Sequence, residues 1–373
     1  MNKYDVIIVG GGLSGLTSAI ALSKLGYSIL LFEINTYPHH KVCGEYISSE
    51  IYPYLKSLGI DLLAAGAVPI SNFEISTVSG KKATAELPLG GLGLSRFTFD
   101  ELLYQKAKAQ NVAFKFSKVT NISFENNKFQ VESVVGISEA SIVLGAYGKR
   151  ATLDKSLKRS FSAEKQDWLA VKAHYTHNNF PDNLVALHNF EGGYGGLSKT
   201  ETGAVNFCYL TNYKSFKRFN DISSFNKKIV SKNPYLQDFF EQAVPIFETP
   251  MAIAQFSFQQ KKPVENHILM CGDTAGLIHP LCGNGMAMAI HSAKLAAALM
   301  HNFFQDKDYT RARMEEDYSA IWKSTFSSRL WFGRKLQHVL LNKWTMEASI
   351  HIAATSNSAL TYAISKTHGK TIM

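Results

Sequence analysis

Tyr4-Asp5-Val6-Ile7-Ile8-Val9-Gly10-Gly11-Gly12-Leu13-Ser14-Gly15 is the stretch that decides the N-terminal fold. An apolar, β-branched run passes directly into a glycine-rich turn. A helical pattern then runs from Leu16 to Leu25, closed by Gly26, and a second short strand, Ile29-Leu30-Leu31-Phe32, ends on Glu33. Strand, turn, helix, strand and acid thus fall in register within the ~30 residues of one βαβ unit. Gly10 permits the tight turn, Gly12 lets the backbone approach a pyrophosphate, and Gly15 lets the helix pack against the strand. The helix start turns free N–H groups and a positive dipole end toward the phosphates. Glu33 is placed to accept hydrogen bonds from a ribose diol. The pattern predicts a bound dinucleotide and by itself does not separate NAD from FAD.

The chain of 373 residues exceeds one typical domain, so two closely joined domains are expected. Hydrophobic residues at 46% and charged residues at 18% match a globular rather than a disordered composition. Four scattered cysteines (Cys43, Cys208, Cys271, Cys282) are too few for a disulfide scaffold and fit a reducing compartment. The N-terminus runs straight into a strand and reads as part of the fold, not a leader. Thr274 to Ala293 and Ala348 to Ser365 lack charges but carry Pro, Gly, Ser, Thr, Asn or His, so neither reads as a membrane span. A soluble, cytoplasmic protein is expected. The formal charge of +9 suits an acidic cofactor or a peripheral contact with anionic lipid. No nucleic-acid signature accompanies it, and no side-chain grouping suggests a metal.

A second glycine-rich motif lies far downstream. The apolar run Ile268 to Cys271 ends in Gly272-Asp273-Thr274-Ala275-Gly276, and Pro280-Leu281-Cys282-Gly283-Asn284-Gly285-Met286 opens a long helix reaching about Phe304. In this order the motifs resemble the flavoprotein superfamily of geranylgeranyl reductases, flavin-dependent halogenases and aromatic hydroxylases of the p-hydroxybenzoate type. The resemblance implies FAD, with Asp273 bonding the ribityl chain and the Gly283-Asn284-Gly285-Met286 turn beside the flavin pyrimidine edge. A helix start there suits the negative charge of reduced flavin. Read without the resemblance, Asp273 is an N-cap and the glycines enter a buried helix. Lys41-Val42-Cys43-Gly44-Glu45 resembles the Lys-x-Cys-Gly segment of the reductases. Leu94-Ser95-Arg96-Phe97-Thr98-Phe99-Asp100 resembles a stretch whose arginine contacts the cofactor, although Arg96 also reads as half of a surface ion pair.

Two features depart from the superfamily. Gly145-Ala146-Tyr147-Gly148 carries Tyr147 where the hydroxylases usually have an aspartate associated with FAD and pyridine-nucleotide binding. The halogenase-type Trp-x-Trp-x-Ile-Pro motif is absent, so halogenation recedes.

Between about 160 and 260 the pattern changes to strands: Trp168 to Tyr175, Leu184 to Phe190, Ala204 to Leu210 and Ala252 to Phe258, with a helical interlude from Ile222 to about Val244. Such a sheet is expected to roof the flavin. Glu191-Gly192-Gly193-Tyr194-Gly195-Gly196 sits at its hairpin, with Tyr194 either lining the pocket or exposed. Cys43 and Cys282 fall near the flavin, as apolar fillers or with a redox or gating role. His279 is a further neighbour, with a structural reading as the alternative. From Tyr309 on, apolar residues at helical spacing with Arg334, Lys335 and His338 between them suit a packing helix, a lid, or a helix resting on a membrane.

The expectation is therefore an α/β fold. A Rossmann-like FAD-binding domain (1–70, 95–160 and 260–308) with a parallel sheet carries an inserted antiparallel β-sheet substrate domain (71–94 and 161–259) and C-terminal helices (309–373). The cofactor set is Gly10, Gly12, Leu13, Ser14, Gly15, Glu33, Cys43, Gly44, Arg96, Gly272, Asp273, Gly283, Asn284, Gly285 and Met286, with Cys43, Tyr194 and Cys282 lining the flavin. The expected function is a geranylgeranyl-reductase-like oxidoreductase acting on a lipophilic prenyl or polyketide-type substrate. NAD(P)H or a separate flavin reductase would supply electrons. An aromatic-ring monooxygenase and a non-catalytic flavin redox sensor remain open.

Overall fold

The computed structural model describes residues 2–149, 152–163, 167–219, 221–256, 258–277, 283–355 and 357–373. Cys282, His279 and Pro280 lie outside the described residues.

Five strands run parallel in the order Ile268–Met270, Gly136–Gly145, Asn2–Val9, Ile29–Glu33 and Ala113–Phe116. Residues Val6 to Val9 are at most 4% exposed, because a parallel strand in mid-sheet is covered on both faces and so reads as an unbroken apolar run. The helix Leu13–Lys24 covers one face and packs on the helices Gly285–Gln305 and Arg96–Ala109. Two glycines permit this approach. Gly10 has φ +109°, and a Cβ on Gly15 would stand 1.9 Å from the Gly10 carbonyl oxygen. The strand Gly136–Gly145 also joins an antiparallel meander with Val119–Glu125 and Lys128–Ser133.

The second sheet has the order Val244–Pro245, Trp168–Thr176, Val205–Asn212, Gly193–Lys199, Leu184–Phe190, Val68–Ser76, Lys82–Gly93 and Tyr46–Ser48, with Met251–Phe256 also paired to Trp168–Thr176. Every pair is antiparallel except Leu184–Phe190 with Val68–Ser76. Those two strands are reached through the cofactor-side fold rather than by a hairpin, so no tight turn forces them antiparallel. The sheet also draws Tyr46–Ser48 and the start of Val68–Ser76 from the first 70 residues.

Strand alternation gives this sheet two apolar faces. On one, Leu169, Val171, Phe207 and Tyr209 pack with Phe225, Leu236 and Phe239 of the Ile222–Lys228 and Pro234–Gln242 helices. On the other, Ile70, Leu87, Ala170 and Leu187 meet Leu340, Met346, Ile350, Leu360 and Ile364. The latter come from the C-terminal helices Arg311–Leu341, Lys343–Thr355 and Asn357–Thr367. No helix among the described residues is long and apolar enough to cross a membrane.

Candidate active site

A single cavity of about 940 Å³ runs from the glycine-rich turn to the apolar space between the second sheet and the C-terminal helices. Gly10, Gly12, Leu13, Ser14, Glu33 and Arg96 line it on the turn side; Cys43, Gly44, Asp273, Gly283, Gly285 and Met286 line it farther on. The expected residues Gly15, Gly272, Asn284 and Tyr194 are not on its wall. Gly15 is spent on helix–strand packing. Gly272, at φ +58°, makes room for Ser14, since a Cβ there would come within 2.8 Å of its Oγ. The Asn284 amide is buried and donates to the Thr367 carbonyl oxygen. Tyr194 is 3% exposed in the cluster that includes Leu340 and Met346, so it is neither exposed nor on the wall.

The turn side suits an adenosine pyrophosphate. Gly11 N–H donates to Glu33 Oε2 at 2.8 Å and Tyr37 Oη–H donates to the Gly11 carbonyl at 2.6 Å, which fixes the loop against the acid. A Cβ on Gly12 would meet nothing closer than Arg96 Nη2 at 3.9 Å, so the turn opens onto a cradle that the guanidinium faces. Arg96 is not a surface pair: its Nε and Nη2 donate to both oxygens of the fully buried Asp100 at 2.7 and 2.8 Å. Burial opposes the Asp100 charge, but Arg96 and Lys41, at 2.9 Å, overcome it and hold the carboxyl below its usual range. The bidentate grip fixes the arginine fork beside the glycine-rich turn.

Asp273 lies in the short turn Gly272–Thr274 and does not cap the long helix; its carbonyl accepts Lys261 Nζ at 2.7 Å. The Gly285–Gln305 helix has Asn284 at its N-cap with no side-chain cap bond, and Gly285 and Met286 open on the cavity. Among the described residues no side chain caps its first N–H groups, which open toward that space. Tyr147 also lines the cavity, and Arg159 Nη1 donates to its hydroxyl at 3.5 Å.

A buried charged cluster, not anticipated as a unit, ties the second sheet to the 41–45 segment and to the start of the Arg96–Ala109 helix. Glu45, fully buried at φ +55°, accepts the Arg96 backbone N–H at 2.7 Å, Lys172 Nζ on Oε1 and His174 Nε2 on Oε2 at 2.7 Å. Lys172 also donates to the Lys41 carbonyl at 3.2 Å. Burial works against the Glu45 carboxylate, yet the His174 hydrogen bond and the Lys172 charge hold its pKa below the ordinary value. His40 completes a group whose ligand atoms lie within 4.8 Å of Glu45 and His174, but the cation already on the carboxylate is Lys172. The cluster pins the Lys41-to-Glu45 segment over the cavity. Cys43 and Cys208 both line that wall, and burial pushes the Cys208 thiol up to about 12, leaving it protonated at neutral pH. The cue in the sequence was available: Lys172 and His174 sit two apart in an apolar strand and therefore share one face.

A parallel βαβ core with this turn, opening on a second sheet, is the architecture of a flavin-dependent oxidoreductase. The chain belongs to the FAD binding domain family, whose model matches residues 3–306. It is an FAD-dependent enzyme. Among curated relatives, a menaquinone reductase of Mycobacterium tuberculosis is 20% identical over 353 residues, 89% of this chain and 81% of that protein. A digeranylgeranylglycerophospholipid reductase of Methanosarcina mazei is 23% identical over 350 residues, 87% and 81% of the two chains. Among solved structures, a geranylgeranyl bacteriochlorophyll reductase-like protein of Thermoplasma acidophilum superposes with TM-score 0.77 at 19% identity, covering 99% of this chain and 97% of its own. A myxobacterial chondrochloren halogenase does so with TM-score 0.78 at 17% identity, covering 89% and 82%. At these identities the structures speak for the fold alone.

Proposed function

We propose that the enzyme is a geranylgeranyl-reductase-like oxidoreductase that acts on a lipophilic, prenyl or polyketide-type substrate with electrons from NAD(P)H or a separate reductase. The observation that carries this reading is the continuity of the cavity. The space beyond the cofactor cradle is walled by Phe73, Ile75, Leu87, Leu187, Ile253, Leu336, Leu340 and Ile364. Such a wall rewards burial of a hydrocarbon chain by roughly 0.8 kcal/mol per CH₂. Gly10, Gly12, Leu13, Ser14, Glu33 and Arg96 would hold the adenosine diphosphate half of FAD. Asp273 and the Gly283–Met286 turn would hold the flavin half. Bound reduced FAD supplies hydride or electron transfer. Around it the protein supplies a dry chamber and the Glu45–Lys172–His174 clamp. Strand Gly193–Lys199 contributes Gly196 to the wall, where the missing side chain leaves width for the substrate.

The test is an anaerobic incubation of the flavin-loaded protein with dithionite or NADPH and a prenyl lipid, read by mass spectrometry. A gain of two hydrogens per saturated double bond supports the proposal. A product gaining oxygen, formed only with NAD(P)H in air, would make it a monooxygenase instead.

A further inference from the structure

We infer that the outward face of the three C-terminal helices is a docking surface for a bilayer containing anionic lipid, a surface that serves the lipophilic-substrate reading above. Two independent observations meet here. The first is charge: residues 311–373, the three helices and the tail, hold nine Lys and Arg (311, 313, 323, 329, 334, 335, 343, 366 and 370) and four acids (315, 316, 317 and 347), with Arg329 paired inward to Glu50. Five of the chain's nine excess positive charges therefore lie in its last 63 residues. Beyond Asp317 the one acid is Glu347, and it is turned to Lys81 at 3.5 Å.

The second is apolar exposure on the same helices. In Lys343–Thr355 the residues Met346, Ile350 and Ala353 face inward, while Trp344, Ala348 and Ile352 recur every fourth residue on the outside. Trp344 is 84% exposed and Ile352 58%. The neighbouring helices, which pack on this one, add Trp331 and Tyr362, with Lys335 over the Trp331 ring at 5.8 Å and Lys366 over the Tyr362 ring at 5.0 Å. Tryptophan and tyrosine beside lysine is the composition of a headgroup-level surface, apolar body inward and charge at the phosphates.

The first and third of these helices line the cavity through Leu336, Leu340, Leu360 and Ile364, and the middle one packs Met346 and Ile350 into the same cluster as Leu340. A membrane held by the outer face is thus one helix diameter from the apolar chamber. A soluble protein partner would give no reason for the basic excess to coincide with the chamber's cover; an anionic bilayer supplying a lipid does.

The experiment uses the full-length, flavin-loaded protein in co-sedimentation with vesicles of phosphatidylcholine alone and of phosphatidylcholine with added phosphatidylglycerol. Binding is expected only to the anionic vesicles, falling as salt is raised, with a blue shift of tryptophan emission. Trp344→Ser with Ile352→Ser should cut partitioning roughly tenfold or more. Lys335→Gln with Lys343→Gln should cut it roughly 25-fold, at about fivefold per lysine. All four side chains are exposed, so melting temperature and flavin content should stay as in the wild type and serve as the folding control. Absence of vesicle binding, equal binding to neutral and anionic vesicles, or wild-type binding by both well-folded variants would each overturn the surface. Vesicle binding without turnover of any prenyl lipid would overturn the substrate reading instead. Turnover of detergent-dispersed lipid without vesicle binding would overturn the surface alone.

Discussion

Replacing Lys172 by Met removes one member of a buried charge pair and leaves the other behind. Lys172 and Glu45 are each fully shielded from solvent, and Glu45 then keeps only His174 and the Arg96 N–H. Breaking such a pair costs about 3–5 kcal/mol, because the remaining charge stays desolvated. With an unfolding entropy of about 2.1 cal/mol/K per residue, 373 residues give on the order of 0.8 kcal/mol/K, so the melting temperature should fall by about 4–6 °C. The loss carries a pH signature. In the wild type the Glu45 pKa is lowered, so its contribution is present above the ordinary carboxyl value, about 4.3, and lost as pH falls through the folded one. In Lys172→Met the His174 hydrogen bond remains but burial loses the Lys172 charge that also opposed it, so the folded pKa rises and protonation relieves the penalty as pH falls. The gap between the two proteins should therefore be wide near neutrality and close toward about pH 5. Glu45→Gln with Lys172→Met, which leaves no charge behind, should recover at least half of the loss. Thermal melts followed by far-ultraviolet ellipticity across this range decide it. A single variant melting within about 1 °C of wild type, a gap independent of pH, or a double variant as weak as the sum of the singles would refute the clamp.

Two further outcomes follow from the cradle. Gly10→Ala forces a side chain onto a backbone at φ +109° and within 2.3 Å of the Ala146 carbonyl oxygen, so it should purify colourless or with flavin content sharply reduced, as absorbance near 450 nm (roughly the oxidised-flavin band) will report. Asp100→Asn should flatten the stability–pH curve below about pH 5, since the wild-type carboxyl, lowered by Arg96 and Lys41 against its burial, gives stability above its ordinary value that is lost on acidification; urea titrations at several pH values check this.

The geometry of the glycine-rich turn was legible because its contacts are local. The Gly11–Glu33 bond, the Gly10–Gly15 contact and the buried strand all lie within the first 33 residues, where spacing alone fixes what meets what. Arg96 was legible as a motif but not as a buried group, since its partner four residues on could equally have stood in solvent; only the covering Lys41 segment settles that. Tyr194 shows a different boundary. Parity places it on the face of Gly196 and Ser198, which do line the cavity, yet the same-face cluster with Leu340 covers it. Asn189 Nδ2, bonded to the Leu340 carbonyl at 2.7 Å, anchors that cover across 151 residues. No local pattern encodes where a distant helix end will lie.

The Glu45 cluster stands at the far limit of what sequence can carry. Alternation announces that Lys172 and His174 share a face, and a lysine and a histidine facing an apolar interior require an acid. Which acid supplies it depends on the register of a strand 127 residues away. Glu45 meets the requirement only because its left-handed backbone turns the carboxylate from the Cys43–Gly44 turn toward the second sheet. The 41–45 segment of the cavity wall is therefore held by a strand of the second sheet. Loosening Lys172 should for that reason disturb cofactor retention and substrate space together, whereas damage at Gly10 should disturb cofactor retention first.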